Sequence, residues 1–372
     1  MMKIGITGQD GFVGKHLYNT LGLFSDEFLR VEFKRDFFEN DKKLDHFVSQ
    51  CDVIVHLAAM NRHESQDVIY ETNVNLVQKL VNALERTNSK PHVLLSSSSQ
   101  EERDNLYGKS KKEGREILAN WAKKNHGIFT GLIIPNVFGP FGKPFYNSVV
   151  ATFCHQVSHN ETPKIDVDGD LKLIYVGELV QEIIAQIRTK KHQSKLEIQH
   201  TSEKKVSEIL ALLQHFKSEY QDNGSIPVLP SVFELNLFNT FRCYMDIATH
   251  FPVKLMQHTD DRGSFVEIIR LEVGGQVSFS TTKPNITRGN HYHTRKIERF
   301  AVIKGKALIQ LRKIGTDEVL NFELNGDEPA YVDMPIWYTH NIKNIGDDIL
   351  YTNFWINEFF NPNDADTYFE EV

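Results

Sequence analysis

The feature that most constrains this chain is a change of periodicity near residue 246. Before it, short apolar runs alternate with long amphipathic stretches: "KIGIT" and a helical segment from Gly11, "DVIVHLAA" and "ETNVNLVQKLVNALERT", "HVLLSSSS" and "YGKSKKEGREILANWAKK", then "TGLIIPNVFG". Apolar runs separated by helical periodicity read as parallel strands joined by crossover helices, so they predict a doubly wound parallel α/β sheet. Residues 145 to about 245 stay helical, with Pro163, Pro227 and Pro230 in loops, and predict a small substrate lobe. From "FPVKLMQHTDDRGSFVEIIRL" onward the segments are short, alternating and rich in Val, Ile, Phe and Thr, with turns at "DDRG", "VGG", "KPN" and "KNIGDD". That texture predicts an all-β jelly-roll barrel. The expected domains are therefore residues 1–245 and 246–372.

Length agrees with this division, since 372 residues exceed one typical domain of roughly 150. Charged residues at 24% and hydrophobic residues at 40% are those of a globular protein, and no apolar run approaches the roughly 18 residues of a membrane span. A net charge of -7 argues against nucleic acid as a partner, because phosphate neutralisation needs basic stripes. Cys51, Cys154 and Cys243 are odd in number and far apart, which predicts no disulfide framework and a reducing compartment. With no basic segment leading into an apolar signal region, a cytoplasmic location is expected.

Two groups of residues carry chemistry. In "TGQDGFVG", Gly8, Gly11 and Gly14 fall between a strand and a helix, where glycine permits a tight turn and close approach of backbone to a pyrophosphate. Tyr107 and Lys111 in "YGKSK" are four apart, on one face of a helix. A nearby ammonium favours the phenolate, so Lys111 is expected to draw the Tyr107 pKa down from about 10. The tyrosine could then exchange a proton with a carbonyl or alcohol. After the second apolar run, "LRVEFKRD" offers Glu32 inside the strand and Lys34 and Arg35 just beyond it; basic residues there suit a 2'-phosphate, so NADPH is favoured over NADH.

The second group lies in "GNHYHTRKIERFAVIKG". His291 and His293, two apart on a strand, share a face; Glu298 follows in the next segment and His340 comes from a distant one. Three imidazoles and a carboxylate suit zinc, iron, manganese or nickel, with zinc the expected divalent ion.

"TGQDGFVG", "VIVHLAA", Asn73 in "ETNVNLV", "LLSSSS", "YGKSK" and "PNVFGP" from Pro135 to Pro140 occur in the order found in extended short-chain dehydrogenases/reductases, and the first 240 or so residues resemble that family. The resemblance implies a Rossmann-like fold and a dinucleotide held by Gly8, Gly11, Phe12, Val13, Gly14, Leu57, Ala58, Ala59 and Lys111, with Lys34 and Arg35 at the ribose phosphate. It also implies Tyr107 as general acid, Lys111 as its pKa modulator and ribose ligand, and a serine on the substrate carbonyl. Ser98 aligns with that serine and Ser97 is the alternative, because the segment from serine to tyrosine is shorter than is usual in the family.

The spacing from His291 through Glu298 to Gly305, followed by Pro335, His340 and Asn344, resembles the two motifs of the cupin superfamily. It implies one divalent metal on His291, His293, Glu298 and His340. Asn285 and Trp337 stand where those motifs usually have glycine. A reductase joined to such a barrel resembles the bifunctional enzymes of capsular polysaccharide synthesis that act on a UDP-linked 4-keto-6-deoxy-N-acetylhexosamine. That resemblance implies C3 epimerisation in the barrel and NADPH-dependent C4 reduction in the sheet domain. The base for epimerisation stays open among Tyr338, Asp333 and Asp260. Edge strands of such barrels often pair, so a homodimer is expected.

Overall fold

Strands β1 (Met2–Thr7), β2 (Phe28–Val31), β3 (Val53–His56), β4 (His92–Ser98), β5 (Phe129–Ile134), β6 (Asn136–Phe138), β7 (Asp170–Tyr175), β8 (Gln193–Glu197) and β9 (Ser202–Lys205) make up the first part of the chain. Six form an all-parallel sheet in the order β2-β1-β3-β4-β5-β8, and β6-β7-β9 form a small mixed sheet. The structure is a computed structural model that describes residues 1–261 and 263–372.

Strand side chains alternate between two helical layers, which is why the apolar runs are continuous. Ile4, Ile6, Val53, Val55 and Leu94 pack with α1 (Phe12–Gly22). Ile54, Val93 and Leu95 pack with α2 (Asp41–Gln50), α3 (Gln66–Thr87) and α4 (Leu106–Asn125). The sheet is therefore Rossmann-like, as expected. From β1 the chain moves outward to β2 and then returns to the other side as β3, so the strand order reverses between β1 and β3. A crevice opens at the carboxyl ends of strands at such a reversal, and ligands of open α/β sheets bind there.

Helices α5 (Val149–Ser158), α6 (Val176–Thr189) and α7 (Val206–Phe216) follow, then α8 (Val232–Arg242) and α9 (Ile247–His250). The remaining strands are β10 (Val253–Lys254), β11 (Gln257–Asp260), β12 (Gly263–Val266), β13 (Gln276–Thr282), β14 (Thr287–Tyr292), β15 (Glu298–Lys304), β16 (Lys306–Lys313), β17 (Val319–Asn325), β18 (Ala330–Met334), β19 (Tyr338–Asn344), β20 (Leu350–Ile356) and β21 (Tyr368–Phe369). They form two five-stranded antiparallel sheets, β10-β18-β15-β20-β13 and β17-β16-β19-β14-β21, plus the hairpin β11-β12. Ala301, Val302, Val332 and Leu350 of one sheet and Ile309, Leu311, Phe322 and Ile342 of the other share one apolar core. This is the expected cupin-like barrel.

The chain separates into two units, Met1–Thr152 with Val167–Val206, and Phe153–Asp166 with Ser207–Val372. Residues 207–245, which the sequence pattern attaches to the sheet domain, thus group with the barrel. Buried polar contacts account for it. The Tyr220 hydroxyl donates to Asp333 Oδ2 at 2.7 Å, Arg242 donates to Tyr220 at 3.1 Å and to the Met334 carbonyl at 3.1 Å, and Asn239 donates to the Arg295 carbonyl at 2.8 Å. The contacts to Asp333, Met334 and Arg295 would each cost the barrel a polar partner if the helices were removed. Among the described residues no helix is long and apolar enough to cross a membrane.

Candidate active site and metal centre

Gly8 follows β1 with φ +76, a left-handed conformation, and a Cβ there would lie 2.8 Å from the Ala58 backbone nitrogen. At Gly14 a Cβ would lie 2.2 Å from the Gly8 carbonyl oxygen, so α1 packs on the turn only through glycine. Gly11 is the N-cap of α1, and its N–H donates to the Gly8 carbonyl at 3.0 Å. Phe12 and Val13 open the helix, where first-turn amides have no intrahelical acceptor and the dipole favours an anion. Leu57, Ala58 and Ala59 follow β3 across the reversal point, with Leu57 N–H donating to the Thr7 carbonyl at 3.0 Å. This cradle, which side chains would fill, fits a dinucleotide pyrophosphate.

At the β2 end the strand stops at Val31, so Glu32 lies beyond it and not inside as its sequence pattern predicts. The cause is local: Gln9 Oε1 accepts from the Phe33 N–H at 3.3 Å and pulls the chain off the ladder. Glu32 pairs with Lys34 at 3.2 Å, both exposed, and Arg35 starts a 3-10 turn through Glu39.

Tyr107 and Lys111 lie in the first turns of α4, whose N-cap Asn105 accepts from Gly108 N–H at 2.7 Å. Lys111 is buried, its ammonium 5.9 Å from the Tyr107 ring centroid and donating to the Ser96 carbonyl at 2.8 Å. The expected lowering of the Tyr107 pKa is not what the structure gives. Burial pushes the phenol up to about 12, with the Ser98 hydroxyl pulling it down and Tyr146 pushing it up. Lys111 is itself lowered to about 8 by burial, against the pull of Glu101. A protonated phenol near neutral pH is suited to donate a proton, the direction a reduction needs.

The two serines separate clearly. Ser97 donates to the buried carboxylate of Glu101, whereas Ser98 faces Tyr107 and also accepts from Gln100 N–H at 3.2 Å. Asn73 ties the loop after β3 to α4, accepting from Met60 N–H at 2.7 Å and donating to Ser110 Oγ at 3.1 Å. Glu101, Arg115 and Gly108 were not singled out by sequence. The glycine beside the tyrosine was the available signal.

In the barrel, β14 and β19 pair His291 with His340 after a bulge at Asn290, whose φ is +58. The extra residue re-aims the strand, and His293 falls just past its end. Glu298 opens β15. His293 Nε2, His340 Nε2 and His291 Nε2 lie 3.0, 3.2 and 4.0 Å from the same Glu298 oxygen, Oε2. One ligand atom from each residue falls within 4.8 Å of all the others. Despite these separations, His293 Nε2, His340 Nε2 and Glu298 Oε2 have no partner in hydrogen-bonding geometry. Lone pairs aimed at a common point and not at one another behave this way, so the four side chains fit a divalent cation.

Burial lowers the His291 pKa to about 4, helped by His340, and keeps the imidazole neutral as a ligand must be. Burial opposes ionisation of Glu298, but the adjacent His293 and His340 prevail and hold its carboxyl below the ordinary range. The C-terminal segment holds the loop that carries His293. The Asp366 carbonyl accepts from His293 Nδ1, while its carboxylate accepts from Thr294 N–H at 3.1 Å, Arg295 N–H at 3.0 Å and Lys296 N–H at 3.1 Å. No sequence motif pointed to Asp366.

The two departures from the cupin motifs have a backbone explanation. Asn285 has φ +63 and Trp337 has φ +62, the left-handed region in which glycine costs least. Of the three candidate bases, Asp333 is excluded by geometry. It is wholly buried in a bidentate pair with Arg299 at 2.7 and 2.9 Å, on the face of β18 opposite to Met334, which is the residue paired with Glu298. Asp260 is on the exposed β11-β12 hairpin. Tyr338 lies on β19 two residues from His340, on the same sheet face, and burial raises its phenol.

The fold and the glycine cradle thus define an enzyme class that binds a dinucleotide at a sheet switch point. The chain belongs to the NAD dependent epimerase/dehydratase family, which it matches over residues 4–198, and residues 258–368 match the polysaccharide biosynthesis C-terminal domain. It is 31% identical over 369 residues to the UDP-2-acetamido-2,6-beta-L-arabino-hexul-4-ose reductase of Pseudomonas aeruginosa, covering 99% of this chain and 98% of that one. The crystal structure of the capsular polysaccharide assembling protein CapF from Staphylococcus aureus is similar over 100% of both chains, at 37% identity and a TM-score of 0.63. The chain is also similar to the spore coat polysaccharide biosynthesis protein SpsL of Bacillus subtilis, 28% identical over 123 residues that span 30% of this chain and 82% of that one.

Proposed function

We propose that this chain is a bifunctional nucleotide-sugar enzyme. Its barrel inverts C3 of a UDP-2-acetamido-2,6-dideoxy-4-hexulose, and its sheet domain then reduces the C4 ketone with NADPH. The UDP-6-deoxy-L-talosamine-type product leads to N-acetyl-L-fucosamine units of a capsular polysaccharide. The observation that carries the reading is two chemically complete sites in one chain, the Tyr107, Lys111 and Ser98 group and the His291, His293, Glu298 and His340 group. The similarity to a UDP-keto-sugar reductase over nearly the whole chain supports the substrate class.

In the reductase site NADPH supplies hydride when bound. The Tyr107 phenol donates its proton to the ketone oxygen, Ser98 hydrogen-bonds that oxygen, and Lys111 offers positive charge beneath the developing alkoxide. Lys34 and Arg35 support NADPH over NADH, since they bring cationic charge to the β2 end. In the barrel a divalent cation, zinc by donor set, would polarise the ketone and acidify the neighbouring C–H. The His291 side chain is 24% exposed while the other three ligands are nearly enclosed, so the cluster opens on one side, which favours catalysis over a purely structural role. Tyr338 is the remaining candidate on the inner face to move the C3 proton.

The three free cysteines support a reducing, cytoplasmic setting. Val277 and Phe279, 54% and 71% exposed on the edge strand β13, support a homodimer through the barrel.

The test is the reaction with NADPH and a UDP-4-keto-6-deoxy-N-acetylhexosamine in deuterated water. Tyr107→Phe should stop cofactor oxidation while deuterium still enters C3, and His291→Ala should abolish that exchange in a folded protein. Normal exchange in His291→Ala would make the barrel a structural or dimerisation module and leave only the reductase.

A further inference from the structure

Three side chains beside the reductase site take no part in the reaction proposed above. Glu101 is 5% exposed, and a carboxylate so far out of water is destabilising unless it is paired. All its pairing is local. Ser97 Oγ donates to it, and Arg115 donates from Nε at 2.9 and 3.1 Å and from Nη2 at 2.8 Å. Arg115 also reaches the Ser194 carbonyl at 3.3 Å, which anchors the guanidinium from its far side.

These residues sit on three consecutive elements. Ser97 is the penultimate residue of β4, just before Ser98, Glu101 lies in the 3-10 turn Ser99–Glu102, and Arg115 is on α4, one turn beyond Lys111. The strand end that carries Ser98 is thereby tied to the helix that carries Tyr107. Ser98 is itself part of the turn, because it caps Gln100 N–H at 3.2 Å. The segment from Ser98 to Tyr107 holds little besides this one turn, so the direction of the Ser98 hydroxyl depends on how the turn is pinned.

We propose that Ser97, Glu101 and Arg115 form a clamp that positions Ser98 against Tyr107 for ketone reduction. Glu101 is a positioning residue that acts through Ser98; its charge separately pulls the Lys111 pKa up. The proposal rests on the reading of Tyr107 and Ser98 as the reducing pair. It also explains how a short serine-to-tyrosine segment can serve the site, since a single pinned turn replaces a longer loop.

The test is a double-mutant cycle on kcat for NADPH oxidation with the UDP-4-keto sugar, using Ser98→Ala, Glu101→Gln and both together. Glu101→Gln keeps the shape but loses the charge-assisted fork, and should lower kcat on the order of tenfold, the scale of a modest misplacement, with KM and NADPH affinity little changed. In the Ser98→Ala background the same substitution should change kcat less than about twofold, because residues that act as one unit are non-additive. A Glu101 that acted only on stability, or only through its charge on Lys111, would cost the same factor in both backgrounds, and that outcome overturns the proposal. If Ser98→Ala alone leaves kcat untouched, the reading of Ser98 fails and the proposal with it, and this failure is visible in the single variant. Should Glu101→Gln not fold by circular dichroism, Arg115→Lys keeps the charge, removes the bidentate geometry and is read in the same cycle.

Discussion

Trp337 stacks on Tyr292 with ring centroids 5.6 Å apart and planes 29° from parallel, while its own backbone sits at φ +62. The side chain is favourable and the backbone unfavourable at one position. Left-handed φ costs a large residue about 1–2 kcal/mol, whereas removing a buried Trp costs about 3–5 kcal/mol. Trp337 is 6% exposed, so the burial term wins. Trp337→Gly should therefore destabilise the barrel by about 2 kcal/mol, and Trp337→Ala by about 1 kcal/mol more because it loses the ring without gaining the glycine backbone. Urea denaturation of the three proteins checks the order. Equal stability of the Gly and Ala variants would show that the backbone strain is not felt.

Asp366 holds the loop between His293 and Glu298 from three backbone amides and the Thr294 hydroxyl, the last at 2.6 Å. Loss of a group that orients a metal ligand typically weakens metal binding about 10- to 100-fold. Asp366→Ala should fall in that range for zinc, read by competition with a chromogenic chelator. Asp364→Ala, which loses an exposed pair with Arg295, should bind within about twofold of the parent. Chelator should lower the thermal midpoint of the parent more than that of Asp366→Ala. Equal affinity in all three proteins would leave Asp366 no role in the site.

Gly108 lies in the first turn of α4, where the helix that carries Tyr107 packs against the turn that follows Ser98. A Cβ at this position would lie 2.0 Å from the Gln100 carbonyl oxygen, a clash with backbone and not with a movable side-chain tip. Gly108→Ala should push the turn away from α4 and lower kcat by at least tenfold, an effect of the scale expected for a misplacement of about 1 Å. Helix propensity alone predicts the opposite, a gain of about 1 kcal/mol in stability. Steady-state kinetics with a thermal melt therefore separate the two effects. A stabilised and fully active variant would show that the turn can move without harm.

The strand pattern of the first sheet was legible because each apolar run is buried on both faces, as Val53 to Val55 are. The His291, His293, Glu298 and His340 cluster was legible through its spacing, although His293 proved to lie beyond its strand. What was hidden depends on contacts distant in sequence. Asp366 meets His293 across 73 positions, and Arg242 meets Met334 across 92, so no local window contains either pair. The grouping of residues 207–245 with the barrel was hidden for the same reason: helical periodicity reports that a face is buried, but not against what. The Tyr107 shift was misread because spacing places Lys111 nearby without revealing that burial, with Ser98 and Tyr146, sets the phenol's pKa.

Acid stability follows from two histidines inside the sheet unit. His56 ends β3, with Nδ1 2.7 Å from Thr7 Oγ1, and burial, helped by Lys111, lowers its pKa to about 3. His92 on β4 is lowered to about 4, mainly by burial. In the unfolded chain both protonate near pH 6.5. Between about pH 6.5 and pH 4 the unfolded state therefore binds more protons, and stability falls as pH falls. Above pH 6.5 neither histidine contributes a slope. Each contributes about 1.4 kcal/mol per pH unit, so acidification from pH 7 to 5 costs about 2 kcal/mol per residue. His56→Gln removes one titration and should reduce the slope of unfolding free energy against pH by about 1.4 kcal/mol per pH unit over that interval, whatever it does to stability at pH 7. Urea denaturation at pH 7, 6 and 5 measures the slope, and one that His56→Gln leaves unchanged would mean that His56 is not kept neutral by its surroundings.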